Sequence, residues 1–395
     1  MKHKTLRTLL CVILTVCFCL SAIVPASAAG LFGGESGIAS QWDQWIRSMK
    51  DLKDRIIEKN PGTDETPAEQ TATGDNFIRI FHLDCGRKYF SVEQIEAIID
   101  QLAANHYTHI ELAFGNDGFR FLLDETNPDG SDVTIEANGI EYKLSDINAA
   151  IKKGNIAYSN GYSYYPSVQE LTEDDMNTII SYAKEKKIGV IPLIDIPGHT
   201  NTLVSAMETL NVQVKRFYKE SNNGVAFNVE KSDVAFVKAL VKKYVDYFYD
   251  NNSKYFNIGA DECGYSESDF NYTLMTEMIA DVARYIKSKS MTAMMFNDGF
   301  KTDKKLLNAM SSALEKNGLS ESDIAICYWT YSNYITPNDL DKAGYKQIIN
   351  TSNKWYYVAG NNSSGIFNYN EAKTNIEGTY SNCRRVDNAN ALVYD

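Results

Sequence analysis

Short apolar runs that end in polar, glycine or aromatic residues recur about eight times between residues 77 and 395. Phe77 to Asp84 leads into Cys85-Gly86-Arg87, and His109 to Phe114 leads into Gly115-Asn116-Asp117-Gly118. Ile188 to Ile194 ends in Asp195-Ile196-Pro197-Gly198-His199, and Lys254 to Ile258 ends in Gly259-Ala260-Asp261-Glu262. Ala293 to Phe296 precedes Asn297-Asp298-Gly299, Ile324 to Tyr328 precedes Trp329, and Tyr345 to Asn350 precedes Trp355-Tyr356-Tyr357. Ala389 to Asp395 reads as the eighth run. Amphipathic helical spacing lies between them, as in Val92-Ile95-Ile98-Ile99-Leu102 and Val234-Val237-Leu240-Val241-Tyr244-Phe248. Strand, polar tip and helix repeated in this way predict an α/β chain folded as a (β/α)8 TIM barrel, with its chemistry on the C-terminal face. The rival, a doubly wound open sheet, carries a glycine-rich phosphate loop after its first strand, and Asp84-Cys85-Gly86-Arg87 is not one.

The fourth tip is the densest in chemistry. Lys254 to Ile258 has the length of a buried parallel strand, Gly259 opens it into a loop, and Asp261 and Glu262 follow at once. Neighbours at a strand end point in different directions, so both carboxyls can approach one ligand from two sides. Charges this close raise the pKa of at least one carboxyl, which suits a general acid near neutral pH. Taken alone, the dipeptide also fits a solvated acidic turn or a helix cap.

Together these motifs resemble glycoside hydrolase family 20, the β-N-acetylhexosaminidases, over nearly all of residues 77–395. Gly259-Ala260-Asp261-Glu262, Asp84 to Arg87, Ile194 to His199 and Trp355-Tyr356 carry the resemblance. Residues 113–118, 296–299 and 354–358 are similar to one branch, the lacto-N-biosidases and the surface exo-N-acetylglucosaminidases of Gram-positive bacteria. The resemblance implies substrate-assisted retaining hydrolysis, in which the sugar's 2-acetamido oxygen attacks the anomeric carbon; the family is a known exception to the two-carboxylate scheme. It makes Glu262 the acid and base, Asp261 the partner of the acetamido N–H, and Tyr356 a donor to the acetamido oxygen. Trp329 and Trp355 would wall the acetamido methyl, and Arg87 would fork onto the 3- and 4-hydroxyls. Asp195 and His199 would orient Asp261 beside the substrate or lock their loop as a hydrogen-bonded pair, and Asp117 and Asp298 would contact substrate or cap the helices that follow them, with capping favoured for Asp117. Asn257 stands where many relatives have His, as it does in the lacto-N-biosidase-like branch. Val358 stands where some relatives read the 4-hydroxyl with a polar residue, which leaves glucosamine against galactosamine open.

Composition is in keeping with an exported enzyme. Lys2, Lys4 and Arg7 precede an apolar run from Leu9 to Val24, and Ala26-Ser27-Ala28 gives a small-residue cleavage pattern, so residues 1–28 read as a secretory signal. Cleavage would leave 36 basic residues against 51 acidic ones, moving the formal charge from −12 to −15. That acidity argues against nucleic acid and anionic membrane as partners, and suits a neutral N-acetylated glycan met outside a Gram-positive-like cell. Residues 29–76 form a lead-in, an amphipathic helix carrying Trp42 and Trp45 followed by a Thr-, Glu-, Gly- and Pro-rich linker. Cys85, Cys263, Cys327 and Cys383 remain after cleavage, without C-x-x-C pairing, and are expected as buried thiols with no metal or cofactor. No helix follows the eighth run before Asp395, so the catalytic barrel reads as lacking its last helix. A D-x-x-D-x-D-x-E chitinase series and a His-x-His amidohydrolase strand end are both missing. A carbohydrate-binding barrel with impaired catalysis is the alternative from another class, and lacto-N-biosidase action the alternative to exo-hexosaminidase action.

Overall fold

A computed structural model describes residues 78–161, 167–219, 224–227, 231–263, 270–300, 304–329, 335–351 and 392–394. The signal segment, the lead-in helix and linker, Cys383, Trp355, Tyr356 and Val358 lie outside these residues.

Eight parallel strands close on themselves. They are β1 (Arg79–Leu83), β2 (His109–Asn116), β6 (Gly189–Ile194), β9 (Tyr255–Asn257), β10 (Thr292–Phe296), β11 (Ile324–Tyr328), β12 (Gln347–Asn350) and β13 (Leu392–Tyr394). Each pairs in parallel with the next in this order, and β13 pairs with β1 through Arg79↔Val393 and Ile80↔Tyr394. The ring is therefore complete, and each of the eight apolar runs contributes one of its strands. Continuous apolar runs are what strands covered on both faces require.

Helices α1 (Val92–Ala104), α3 (Glu173–Glu185), α5 (Lys231–Asp250), α6 (Tyr272–Ser288), α7 (Lys304–Lys316) and α8 (Pro337–Ala343) connect successive strands. Their starts are written locally. Ser91 with Gln94, Thr172 with Asp175 and Thr336 with Asp339 each form a capping box, and Pro337 occupies the first turn of α8. One face of each helix then meets the barrel; α1 buries Ile95, Ile99 and Leu102. Each such side chain taken fully out of water contributes about 1.5–3 kcal/mol.

Two connections are elaborated. After β2 the chain turns back as β3 (Gly118–Phe119), antiparallel to the strand it has just left. It then forms a hairpin, β4 (Thr134–Ala137) and β5 (Ile140–Lys143), and the helix α2 (Leu144–Gly161). Asn138 and Gly139 both take positive φ, the requirement of a tight two-residue hairpin turn. Between β6 and α5 lie α4 (Asn201–Thr209) and a second hairpin, β7 (Arg216–Lys219) and β8 (Gly224–Phe227). Asn155 of α2 donates to the Phe119 carbonyl at 2.8 Å, accepts from its N–H at 2.9 Å, and accepts from the Thr202 hydroxyl of α4 at 3.0 Å. The insertion thus anchors the tip of β2, where Asp117 sits. Phe114, Phe119 and Phe121 pack around Tyr244 of α5, whose hydroxyl reaches the Phe121 carbonyl at 2.9 Å.

Candidate active site

The tips of β1, β2, β6, β9, β10 and β11 bring Arg87, Asp117, Asp195, His199, Asp261, Glu262, Asp298 and Trp329 into one hydrogen-bonded and charged network. Ala260 and Glu262 have positive φ, and Gly259 precedes them at φ 80°, so the turn after β9 winds left-handed. Two non-glycine residues in that region carry strain that the surroundings must hold in place. The surroundings do so with backbone donors: Asp195 Oδ1 accepts the Asp261 N–H at 3.2 Å, and Asp298 Oδ2 accepts the Glu262 N–H at 2.7 Å. Gly198 packs so closely here that a Cβ would overlap the Asp261 carbonyl oxygen.

Asp298 lies in a short 3-10 turn, Asn297–Phe300, is 1% exposed, and spends its other oxygen on the Trp329 indole N–H at 3.0 Å. Asn297 accepts the Trp329 backbone N–H at 2.8 Å. Asp298 thus presents both oxygens to protein donors from neighbouring strand tips. It sets the position of Glu262 and of the Trp329 ring. Asp195, 2% exposed and turned toward the dyad's backbone, likewise sits behind Asp261.

His199 links the dyad to a second group of charges. Its Nε2 is 3.6 Å from Asp261 Oδ2 and 3.6 Å from Glu262 Oε2. Its Nδ1 is 2.8 Å from Arg87 Nη2 and 3.3 Å from Asp117 Oδ2. Arg87 donates through Nε to Asp117 at 2.9 Å and through Nη1 to Asp84 at 2.9 Å, while its side chain stays 38% exposed. The expected helix cap at Asp117 is corrected. Its carboxylate bridges Arg87, His199 and Asn201 Nδ2, the last at 2.6 Å, because the chain after it runs back along β2 instead of into a helix.

The titration behaviour follows from this layout. Burial raises the Asp261 carboxyl well above its ordinary value, and the charges of Asp298, Asp195 and Glu262 add to it. Burial pushes Asp195 up to about 8, against the pull of His199 and of the Asp261 N–H, and burial also raises Asp298. Asp117 goes the other way: burial is outweighed by Arg87 and His199, and its carboxyl is held well below the usual range. Burial and Arg87 act to lower the His199 pKa, but Asp117 and Asp195 outweigh them and raise it. Asp261 Oδ1 is buried without a donor. Repulsion between Asp261 and Asp298 is relieved when Asp261 holds a proton.

Asp195, His199 and Asp261 offer ligand atoms within 4.8 Å of one another, the one grouping among the described residues that could hold a metal ion. The guanidinium on the far nitrogen of His199 opposes a cation there, and the Asp195 carboxyl already accepts the Asp261 backbone N–H. The set behaves as an acid–base cluster. Cys85, Cys263 and Cys327 are free and buried.

The sequence profile described as glycosyl hydrolase family 20, catalytic domain, matches residues 78–393. The chain belongs to this family. It is similar to a lacto-N-biosidase of Bifidobacterium bifidum, 26% identical over 271 residues that cover 63% of this chain and 22% of that protein. A β-hexosaminidase of Porphyromonas gingivalis is 26% identical over 194 residues, covering 47% of this chain and 21% of its own. The chain therefore spans about a fifth of the length of these relatives. Among solved structures, a catalytic module of the pneumococcal exo-β-D-N-acetylglucosaminidase superposes with a TM-score of 0.65 at 29% identity, covering 81% of this chain and 78% of that one. Dispersin B shares the fold, with a TM-score of 0.53 at 18% identity, over 80% of this chain and 91% of its own.

Proposed function

We propose that the chain hydrolyses β-linked N-acetylhexosamine from glycans by substrate-assisted retaining catalysis. The observation that carries this reading is the pairing at the β9 tip. Glu262 lies 23% exposed beside Asp261, whose side chain is 24% exposed. From that open side an acetamido N–H can donate to the Asp261 carboxyl. Accepting it favours the ionised Asp261, whose charge offsets the positive charge of the cyclising sugar. Glu262, partly exposed, gives its proton to the leaving oxygen and later takes one from water. Trp329, its indole edge anchored on Asp298, presents an apolar face to a methyl group or a sugar C–H face.

Tyr356 as donor to the acetamido oxygen and Trp355 as a further wall belong to this proposal, as does Arg87 as the fork for the ring hydroxyls. In the structure that fork rests on Asp84 and Asp117, which hold it in place for such a contact. Secretion by way of residues 1–28 belongs to it too. The similarity to a lacto-N-biosidase and to an exo-N-acetylglucosaminidase supports the N-acetylated sugar as the unit released, alone or at the end of a disaccharide.

The test is release of nitrophenol from the β-N-acetylglucosaminide, with the plain β-glucoside as control. Binding of a thiazoline analogue of the cyclised intermediate, far tighter than of N-acetylglucosamine itself, would accompany it. Equal turnover of the two nitrophenyl sugars, or a sugar ester trapped on a carboxylate of the chain, would overturn the mechanism. Turnover of neither sugar, nor of a nitrophenyl disaccharide ending in N-acetylglucosamine, by folded protein would favour the binding-barrel alternative.

A further inference from the structure

Beneath the dyad, inside the barrel, lies a polar chain that the proposed chemistry leaves unused. Glu111 on β2 is fully buried, and pairs in register with His82 on β1. Its Oε2 is 2.6 Å from His82 Nδ1, and its Oε1 accepts from Asn257 Nδ2 at 2.8 Å. Asn257 on β9, also fully buried, uses its own Oδ1 to accept the Gly259 N–H at 2.9 Å. Gly259 is the first residue of the left-handed turn that carries Asp261 and Glu262. The chain begins at His82, whose side chain is 29% exposed, and ends at the backbone of the dyad's loop.

We propose that Glu111 and His82 are positioning residues which, through Asn257, hold the Gly259–Glu262 turn in its catalytic shape.

The argument rests on donor and acceptor chemistry. A side-chain amide has an oxygen end and a nitrogen end, and only the oxygen end can take the Gly259 N–H. An ionised carboxylate accepts and cannot donate, so Glu111 forces the nitrogen of Asn257 to face it and leaves the oxygen for Gly259. His82 Nδ1 takes up the other carboxylate oxygen at 2.6 Å, which leaves Oε1 to accept from Asn257. Burial acts to lower the His82 pKa, but the hydrogen bond and charge of Glu111, with a smaller contribution from Asp84, raise it overall. The pair thus selects one orientation of Asn257, and that orientation starts the turn. Without it, Gly259 N–H would face an NH2 group, and the strained φ values at Ala260 and Glu262 would lose their anchor at the strand end.

This inference rests on the proposed glycosidase reading, and its test separates the two. Glu111→Gln keeps shape and volume but can turn an amide NH2 toward Asn257, so it removes the selection without removing the packing. Asn257→Ala removes the acceptor outright. The wild type and both variants are compared for kcat and KM on the nitrophenyl N-acetylglucosaminide and for hydrogen exchange at the Gly259 amide. Glu111→Gln is expected to lower kcat about 10-fold, and Asn257→Ala about 10²-fold, the scale of small misplacements remote from the chemistry, with KM nearly constant. Gly259 exchange should quicken at least about 10-fold in both, while amides in α6 keep their protection. Unchanged Gly259 exchange in both variants would overturn the relay, whatever the rates. Faster exchange with unchanged kcat would overturn its catalytic role. A wild type that turns over no substrate would defeat the glycosidase reading, and the exchange comparison would then decide the relay by itself.

Discussion

Replacing Asp298 by Asn probes the site where one carboxylate serves two donors. The Glu262 N–H and the Trp329 indole N–H take its two oxygens at 2.7 and 3.0 Å. An amide offers one oxygen, so one of these donors must face an NH2 group. Leaving a buried donor unmet costs about 1–3 kcal/mol. Part of this is returned, because the charge of Asp298 stands second only to burial among the causes that raise Asp261. The net loss of stability is therefore expected near the lower end, about 1–2 kcal/mol. Displacing Glu262 or the Trp329 ring should lower kcat by about 10²-fold. The pH profile should move as well. In the proposed mechanism Asp261 works ionised, so activity should fall as pH drops through its raised pKa. Removing the neighbouring carboxyl lowers that pKa, and the acid limb of kcat should shift to lower pH. A merely structural Asp298 would lower the melting temperature and leave the limb in place. The assay is kcat against pH on the nitrophenyl substrate, with Tm measured beside it. An acid limb that stays put or moves upward would refute the reasoning about the carboxyl cluster.

Glu262→Gln should keep the fold and lose about 10²–10⁴-fold in kcat on glycans with poor leaving groups, since Gln cannot deliver a proton; oligosaccharide turnover at the wild-type rate would remove Glu262 from its role. Between the ordinary aspartate value of 3.8 and the folded value of about 8, the folded chain holds a proton on Asp195 that the unfolded chain has lost. Stability should fall with rising pH across that window, and a urea titration of Asp195→Asn should show a weaker fall. Asp117 behaves oppositely: its carboxyl is depressed, so its contribution is present above the ordinary value and is lost as pH falls through the folded one. Asp117→Asn should therefore flatten the acid side of the stability curve, and acid unfolding at the wild-type pH would count against the Arg87–Asp117 pair. Arg87→Lys cannot span Asp84, Asp117 and His199 at once, so KM is expected to rise more than kcat falls; an unchanged KM would place Arg87 outside substrate binding.

The barrel was legible because a strand covered on both faces must be apolar throughout, and eight such runs stand out between polar tips. Asp261 and Glu262 were legible because two carboxyls at such a tip demand explanation. The elaborated connections were not read, although Asn138-Gly139 is a strong hairpin signal and lies between alternating residues. Asp117 was misread because a carboxylate after a strand commonly caps a helix, and nothing local announces that β3 folds back on β2. The two donors of Asp298, Glu262 N and Trp329 Nε1, were not legible for a related reason: they come from other strand tips. Glu111 left a visible trace, a charge within His109-Ile110-Glu111-Leu112, but its meaning depends on His82 and Asn257 across the barrel. Long-range pairing of polar groups is what a single sequence states least directly.

The close seating of Gly198 against the Asp261 carbonyl means that two neighbouring strand tips touch main chain to main chain, beside their side-chain contacts. Side chains can hop between rotamers and loops can fray, but this contact has neither freedom. The catalytic turn should then soften only when the strands beneath it part. Heat inactivation and global unfolding would coincide, with no intermediate temperature range in which the chain is folded and idle.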